Sequence, residues 1–231
     1  AKEKGLKKIV YTSTVGCIGL NDDTTPANEN TFFNKNTLSN AYKKSKYQAE
    51  QVALEFARGG LPVVIVNPST PVGPRDIKPT PTGQIILDFM NHKMPAYIDT
   101  GLNLIDVVDC ARGHILAEAK GQPGERYILG NKNMSLKEIL LTLEVLTAIK
   151  APRIKMPYWV AYLAGITCEW ISNSITHQPP SVPLAGVKMA KYFMYFDSSK
   201  AIQKLGLAQN PVENALRQSV DWFKDNNYLT R

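Results

Sequence analysis

Two residues in the stretch "SNAYKKSKYQAE" (39–50) could move a proton at a carbonyl oxygen. Tyr42 and Lys46 are four positions apart in a run that reads as a helix, so their side chains share a face. At about 4 Å and an effective dielectric near 20, an ammonium beside a phenol is worth roughly 4 kcal/mol. Before solvation costs, that brings a phenol from a pKa of about 10 toward neutrality, where proton exchange with a carbonyl oxygen is efficient. Spacing alone carries little weight, because ten tyrosines and twenty lysines in 231 residues give about one such pair by chance, and one is found. From the helix alone the stronger reading is a half-buried Tyr42 with Lys43, Lys44 and Lys46 as a solvated face.

The flanking segments change that balance. "KKIVYTS" (7–13) and "LPVVIVN" (61–67) are short and rich in β-branched residues, and read as buried strands. Between them lie a polar loop, "NDDTTPANEN", and the helix, which sets Tyr42, Ser45, Ala49, Val52, Ala53 and Phe56 along one stripe before "RGGLP" ends it. Strand, crossover helix and strand form a right-handed parallel unit. Ser13 and Thr14 then stand at the carboxyl edge of the first strand, where α/β sheets bind their ligands, and "VNPSTPVGPRD" leaves the second strand at the same edge. Helices are expected at 107–119 and 135–150, the latter opened by a Ser135–Glu138 capping box, with a strand at 125–130 between them. Two more helices are expected in the tail, starting near Asp197 or Ser198 and near Pro211. The class is α/β with a partly helical tail, without repeats or low-complexity linkers.

Composition excludes several alternatives. A chain of 231 residues that is 44% hydrophobic buries a core without disulfides or metals. Cys17, Cys110 and Cys168 lie far apart with no ligand spacing, which fits a reducing, cytoplasmic setting and no metal. His92, His114 and His177 show no ligand spacing either. The most apolar stretch, 156–171, is shorter than the roughly 20 residues a bilayer span needs, and reads as a buried or lipid-grazing helix. The charged opening "AKEKGLKK" is no secretory signal. The net charge of +7 comes from scattered lysines, which favours solvated surface over nucleic-acid binding and suits an anionic small ligand. Core packing is the default for Trp159, Trp170, Tyr192, Phe193, Phe196 and Trp222, with a lipid-facing pocket as the sharper alternative.

The order of these features resembles the extended short-chain dehydrogenases/reductases, the NAD-dependent epimerase/dehydratase type. Hydroxyl residues end one strand, Tyr-x-x-x-Lys lies on the next helix, and a strand running into Pro-Ser-Thr-x-Val-Gly-Pro follows. The wording "VYTSTVGCIG", "NPSTPVGPRDIKPTPTG", "GERYILG" and "MYFDSSKAIQKLG" is similar to the hopanoid-associated sugar epimerases and the dihydroflavonol 4-reductases. The resemblance implies the C-terminal part of a doubly wound parallel (Rossmann) sheet, over 1–73 and 102–130. A smaller, mostly helical substrate lobe would take 74–101 and 131–231. It implies a catalytic set of Tyr42 as general acid/base, Lys46 lowering the phenol's pKa and holding the nicotinamide ribose, and Thr14 orienting the substrate oxygen. Tyr42, Lys46, Pro68 and Ser69 would contact NAD or NADP. The implied reaction is hydride transfer at a hydroxyl or ketone carbon of a sugar-like or polycyclic small molecule. The alternative is a catalytically silent reductase-like binder. A homodimer and a peripheral membrane contact stay open.

Departures from the pattern are informative. Val15 and Gly16 follow Thr14 where the 4,6-dehydratases carry an acidic pair, which argues against elimination chemistry. Asp106 stands where the subgroup usually has histidine, which puts a local contact in doubt. Arg75 and Lys78 could meet an anionic substrate group, although solvation is the default for such a pair. The fifteen glycines contain no G-x-x-G-x-x-G turn for a pyrophosphate. From this the chain is expected to lack the N-terminal half of the dinucleotide fold, to leave both strands short of neighbours, to be marginally stable and to bind cofactor poorly if at all.

Overall fold

The chain begins its regular structure with β1 (Ile9–Thr12) and a 3-10 turn at Val15–Cys17. There follow α1 (Ala41–Arg58), β2 (Val63–Pro68), β3 (Thr70–Val72), α2 (Pro81–Met90), β4 (Tyr97–Ile98), β5 (Gly101–Asp106) and α3 (Val107–Lys120). The remainder comprises β6 (Arg126–Leu129), β7 (Lys132–Ser135), α4 (Leu136–Thr147), β8 (Lys155–Met156), α5 (Tyr158–Ile171), α6 (Leu184–Met189), β9 (Phe193–Met194), α7 (Ser199–Leu205) and α8 (Val212–Asp225). The computed structural model describes residues 5–21, 23–33, 41–172, 174 and 184–229. Two units divide them.

One unit takes residues 1–73, 103–133 and 195–215. Its centre is a parallel sheet in the order β1-β2-β6. β2 lies between two neighbours, with Val66 opposite both Thr12 and Tyr127, and its Val64, Ile65 and Val66 are fully buried. An all-apolar run is what a strand covered on both faces requires. The expectation that both strands lack neighbours therefore fails for β2. β1, expected as a buried strand, is only partly buried, because β2 is its one strand partner among the described residues. β3 pairs in parallel with the end of β5 through Thr70–Leu104 and Val72–Asp106.

Asp106 closes β5 and caps α3, its carboxylate accepting from the Val108 amide at 2.7 Å. The acid at this position thus satisfies an orphan helix donor. α3 packs against β1, β2 and α7. α7 starts where Asp197 accepts from the Ser199 amide at 2.9 Å, and stops at Gly206, whose φ of 79° is a left-handed helix cap. Residues 195–215, given to the substrate lobe by the family resemblance, pack in this unit through the contacts of α7 with α3 and β6.

The other unit takes 74–102, 134–194 and 216–231 and is mostly helical. α2 starts with Pro81 behind a Thr80 cap, and Asp76 in turn accepts from the Thr80 amide and hydroxyl. α4 carries the expected capping box, with Ser135 Oγ accepting from the Glu138 amide at 3.2 Å and the Glu138 carboxylate accepting from the Ser135 amide at 2.7 Å. α5 packs on α6 at Gly165, beside Leu184 and Val187, and also buries Ala161. No helix among the described residues is long and apolar enough to cross a membrane. The aromatic residues expected in the core divide: Phe196 is buried, whereas Trp159 and Trp170 are 66% and 63% exposed. α5 buries only its small-residue side, so its large side chains take the outer face.

Candidate functional site

β1 and β2 run parallel, so their carboxyl ends share one edge of the sheet. Leaving β1, the chain turns at once. Thr14 is extended, and its Oγ1 accepts from the Gly16 amide at 3.1 Å to cap the 3-10 turn. That bond uses a lone pair of the hydroxyl and leaves its proton to donate beyond the turn. Buried Ser13 donates to Cys17 Sγ at 3.5 Å. Burial pushes the Cys17 thiol up to about 11, and the Glu50 carboxylate adds to that, while the Ser13 hydroxyl and the charges of Lys46 and Arg126 pull it down.

α1 packs on this turn, which is why Lys46 comes near enough to act on Cys17. Lys46 is half-buried, and Lys43, one turn earlier, is drawn below the ordinary lysine range by burial. Tyr42 is 60% exposed, and the Ser45 hydroxyl donates to its carbonyl at 2.9 Å. The stripe read from the sequence is the outer face: Tyr42, Ser45, Ala49, Val52 and Phe56 are all exposed. The inward side is polar, formed by Lys43, Lys46 and Glu50, with Tyr47 stacked on Phe33 at 4.4 Å. Thr14 and Lys46 are thus gathered at the turn, while Tyr42 stands at the open start of the helix.

At the end of β2, Pro68 and Ser69 are half-buried. The Ser69 amide donates to the Leu129 carbonyl at 2.9 Å, but Ser69 Oγ is buried with no hydrogen-bond partner. An unmet buried hydroxyl is costly unless a ligand or water meets it. Its place at the carboxyl edge fits the polar groups of a nicotinamide riboside. No cluster among the described residues could hold a metal. Arg75 and Lys78 are exposed in the other unit. His114 Nδ1 lies 2.8 Å from the Cys110 carbonyl within α3, and His177 falls outside the described residues.

Four polar residues around the turn escaped the sequence reading. Glu50 on α1 is fully buried, and Asn67 on β2 donates through Nδ2 to Glu50 Oε2 at 2.7 Å and to the Thr14 carbonyl at 3.0 Å. Arg126 on β6 pairs with Glu50 at 3.3 Å and also donates to the Glu29 carbonyl. The buried Glu29 carboxylate accepts from the Ile128 amide at 2.8 Å. Two signals were available: an asparagine ending the otherwise apolar "VVIVN", and a glutamate one turn beyond Lys46.

Comparison with known proteins gives the family and the fold. Residues 1–130 match the model of the NAD dependent epimerase/dehydratase family. A Synechocystis sp. protein named for dihydroflavonol 4-reductase is 47% identical over 99% of this chain and 68% of its own length. Sterol demethylase protein B of Methylococcus capsulatus is 27% identical over 97% of this chain and 69% of its length. The crystal structure of a nucleoside-diphosphate-sugar epimerase from Pseudomonas aeruginosa superposes with a TM-score of 0.80 at 28% identity, covering 97% of this chain and 69% of that one.

Proposed function

Because the chain belongs to the NAD dependent epimerase/dehydratase family, a family of NAD(P)-dependent oxidoreductases and epimerases, we propose that Thr14, Tyr42 and Lys46 carry its reaction. The substrate would be a sugar-like or polycyclic small molecule with a hydroxyl or ketone carbon. Names among its relatives support that range, since they include a dihydroflavonol reductase, a sterol-modifying protein and a sugar-nucleotide epimerase. The nicotinamide, when bound, supplies or takes up the hydride. Lys46, Pro68 and Ser69 would hold it, and the unpartnered Ser69 hydroxyl supports that role.

Each side chain has its own task. The Tyr42 phenol gives its proton to the substrate oxygen in reduction and takes it back in oxidation. Lys46 stabilises the phenolate by its charge. Thr14 donates its free hydroxyl proton to the same oxygen and fixes its direction. The observation that carries this reading is the packing of α1 on the Thr14–Cys17 turn, which sets the charge of Lys46 at the carboxyl edge of β1.

The exposure of Tyr42 supports a second reading, a silent binder of the same cofactor. Turnover with NADH and NADPH against a panel of ketones and sugar nucleotides separates the two. Tyr42→Phe is expected to lower turnover by about a hundredfold or more while leaving nucleotide affinity within about threefold. Equal turnover in the two proteins would refute the assignment. Three free thiols support a cytoplasmic setting. The exposed row of Trp159, Leu163, Ile166 and Trp170 along α5 supports peripheral contact with a lipid surface or an apolar ligand.

A further inference from the structure

We propose that Glu50 and Asn67 are positioning residues, which together fix the Thr14 turn to the helix that carries Tyr42 and Lys46. The inference rests on the reading of Thr14, Tyr42 and Lys46 given above.

Asn67 has one amide nitrogen with two protons, and both are used. One goes to the carbonyl of Thr14, the residue whose hydroxyl is offered to the substrate. The other goes to Glu50, which lies one helical turn beyond Lys46. Asn67 thereby bridges the exit from β1 and the inner face of α1, and its own backbone is pinned in β2 opposite Ile128. Its Oδ1 is buried with no partner, so the side chain is oriented by its two donated bonds alone.

Glu50 is held from the far side. Arg126 pairs with Glu50 Oε1, leaving Oε2 to Asn67, so the carboxylate is oriented by a cation on β6 and an amide on β2. A carboxylate with no exposure needs such partners. Strand β6, strand β2, helix α1 and the Thr14 turn are joined by these few bonds. Rotation of α1 about its axis, or opening of the turn, would break at least one charge-assisted hydrogen bond. The arrangement holds Lys46 and Thr14 in a constant relation, as a catalytic group and a substrate-orienting group require.

Cys17 reports on the turn without any substrate. It lies in the 3-10 turn that Thr14 caps and is buried, while Cys110, buried in the core on the inner side of α3, provides an internal standard. Both thiols are buried, so each must be opened to solvent before a thiol reagent reaches it. The ratio of Cys17 to Cys110 labelling by a thiol reagent under native conditions therefore isolates local opening of the turn from global unfolding. Titration of the same proteins with NADH and NADPH reads the site.

Asn67→Leu, close in size but without donors, is expected to raise the labelling ratio about tenfold or more and to weaken nucleotide uptake. Glu50→Leu should match it. Glu50→Gln, which keeps an acceptor for Asn67 but turns its amide nitrogen toward Arg126, should raise the ratio clearly less than Glu50→Leu does. If Asn67→Leu does not fold, Asn67→Ser, which is smaller, carries the same expectation. An unchanged ratio in a folded Asn67 variant would overturn the proposal. So would a ratio in Glu50→Gln as high as in Glu50→Leu. If the ratio rises but the parent protein takes up no nucleotide, the brace stands and the reading of the site as a nicotinamide site fails.

Discussion

Asn67 Nδ2 lies 2.7 Å from Glu50 Oε2, a side-chain bond buried between the end of a strand and the middle of the helix that precedes it. It explains how a helix with a polar inner face can pack on a sheet edge. The buried Glu50 carboxylate and Asn67 amide are paired with each other, and Glu50 also with Arg126. The cost of burying them is offset only while every partner is present.

Removing one partner should therefore be expensive. Arg126→Met leaves the Glu50 carboxylate buried without its cation and the Glu29 carbonyl without its donor. The expected loss is about 3–5 kcal/mol in urea unfolding. A loss below about 1 kcal/mol would show that solvent reaches Glu50.

Gly19 is required by space, not by its backbone angle. A Cβ at this position would lie 2.0 Å from the Phe32 carbonyl oxygen and 2.6 Å from its carbon. Backbone cannot yield as a flexible side chain does, so Gly19→Ala should cost about 1–3 kcal/mol and displace the segment from Phe32 onward. Loss of the Phe33–Tyr47 stack, seen as a change in near-ultraviolet circular dichroism, should accompany it. A variant with the parent's melting temperature and spectrum would contradict the close approach.

Much of the fold is legible in the residues themselves, wherever local chemistry decides. The apolar run of β2 announces a strand covered on both faces, and Ser135 with Glu138 announces the start of α4. What stays hidden depends on distant partners. Glu50 meets Arg126 across 76 positions and Asn67 across 17, and no periodicity records either pairing. For the same reason the Tyr42, Val52 and Phe56 stripe misled. Apolar side chains on one helix face usually mark the core, but here a buried ion pair claims the opposite face. Trp159 and Trp170 misled likewise, because Ala161 and Gly165 rather than the large residues make the contact surface of α5. The positions of Thr14 and Ser69 just beyond β1 and β2 were legible because a strand's carboxyl end is defined by sequence order.

High pH should weaken the fold through its buried thiols. Cys17 and Cys110 are both pushed by burial from an ordinary 9.0 to about 11, so between those values the folded chain keeps protons that the unfolded chain has lost. Stability from this source is complete below pH 9 and is lost as pH rises toward 11, by roughly 2 kcal/mol for each thiol. Urea midpoints at pH 8 and pH 10.5 measure it. The double variant Cys17→Ala with Cys110→Ala should show a clearly smaller drop, and an equal drop in both proteins would assign the effect to other groups.

The central claim, that Lys46 at the carboxyl edge of β1 forms part of a nicotinamide site, is tested most directly by fluorescence titration of NADH and NADPH against the parent chain and Lys46→Ala. Uptake by the parent, weak because no glycine-rich turn receives the pyrophosphate, and lowered about tenfold further by the substitution, is the predicted result. Superimposable titration curves for the two proteins would contradict it.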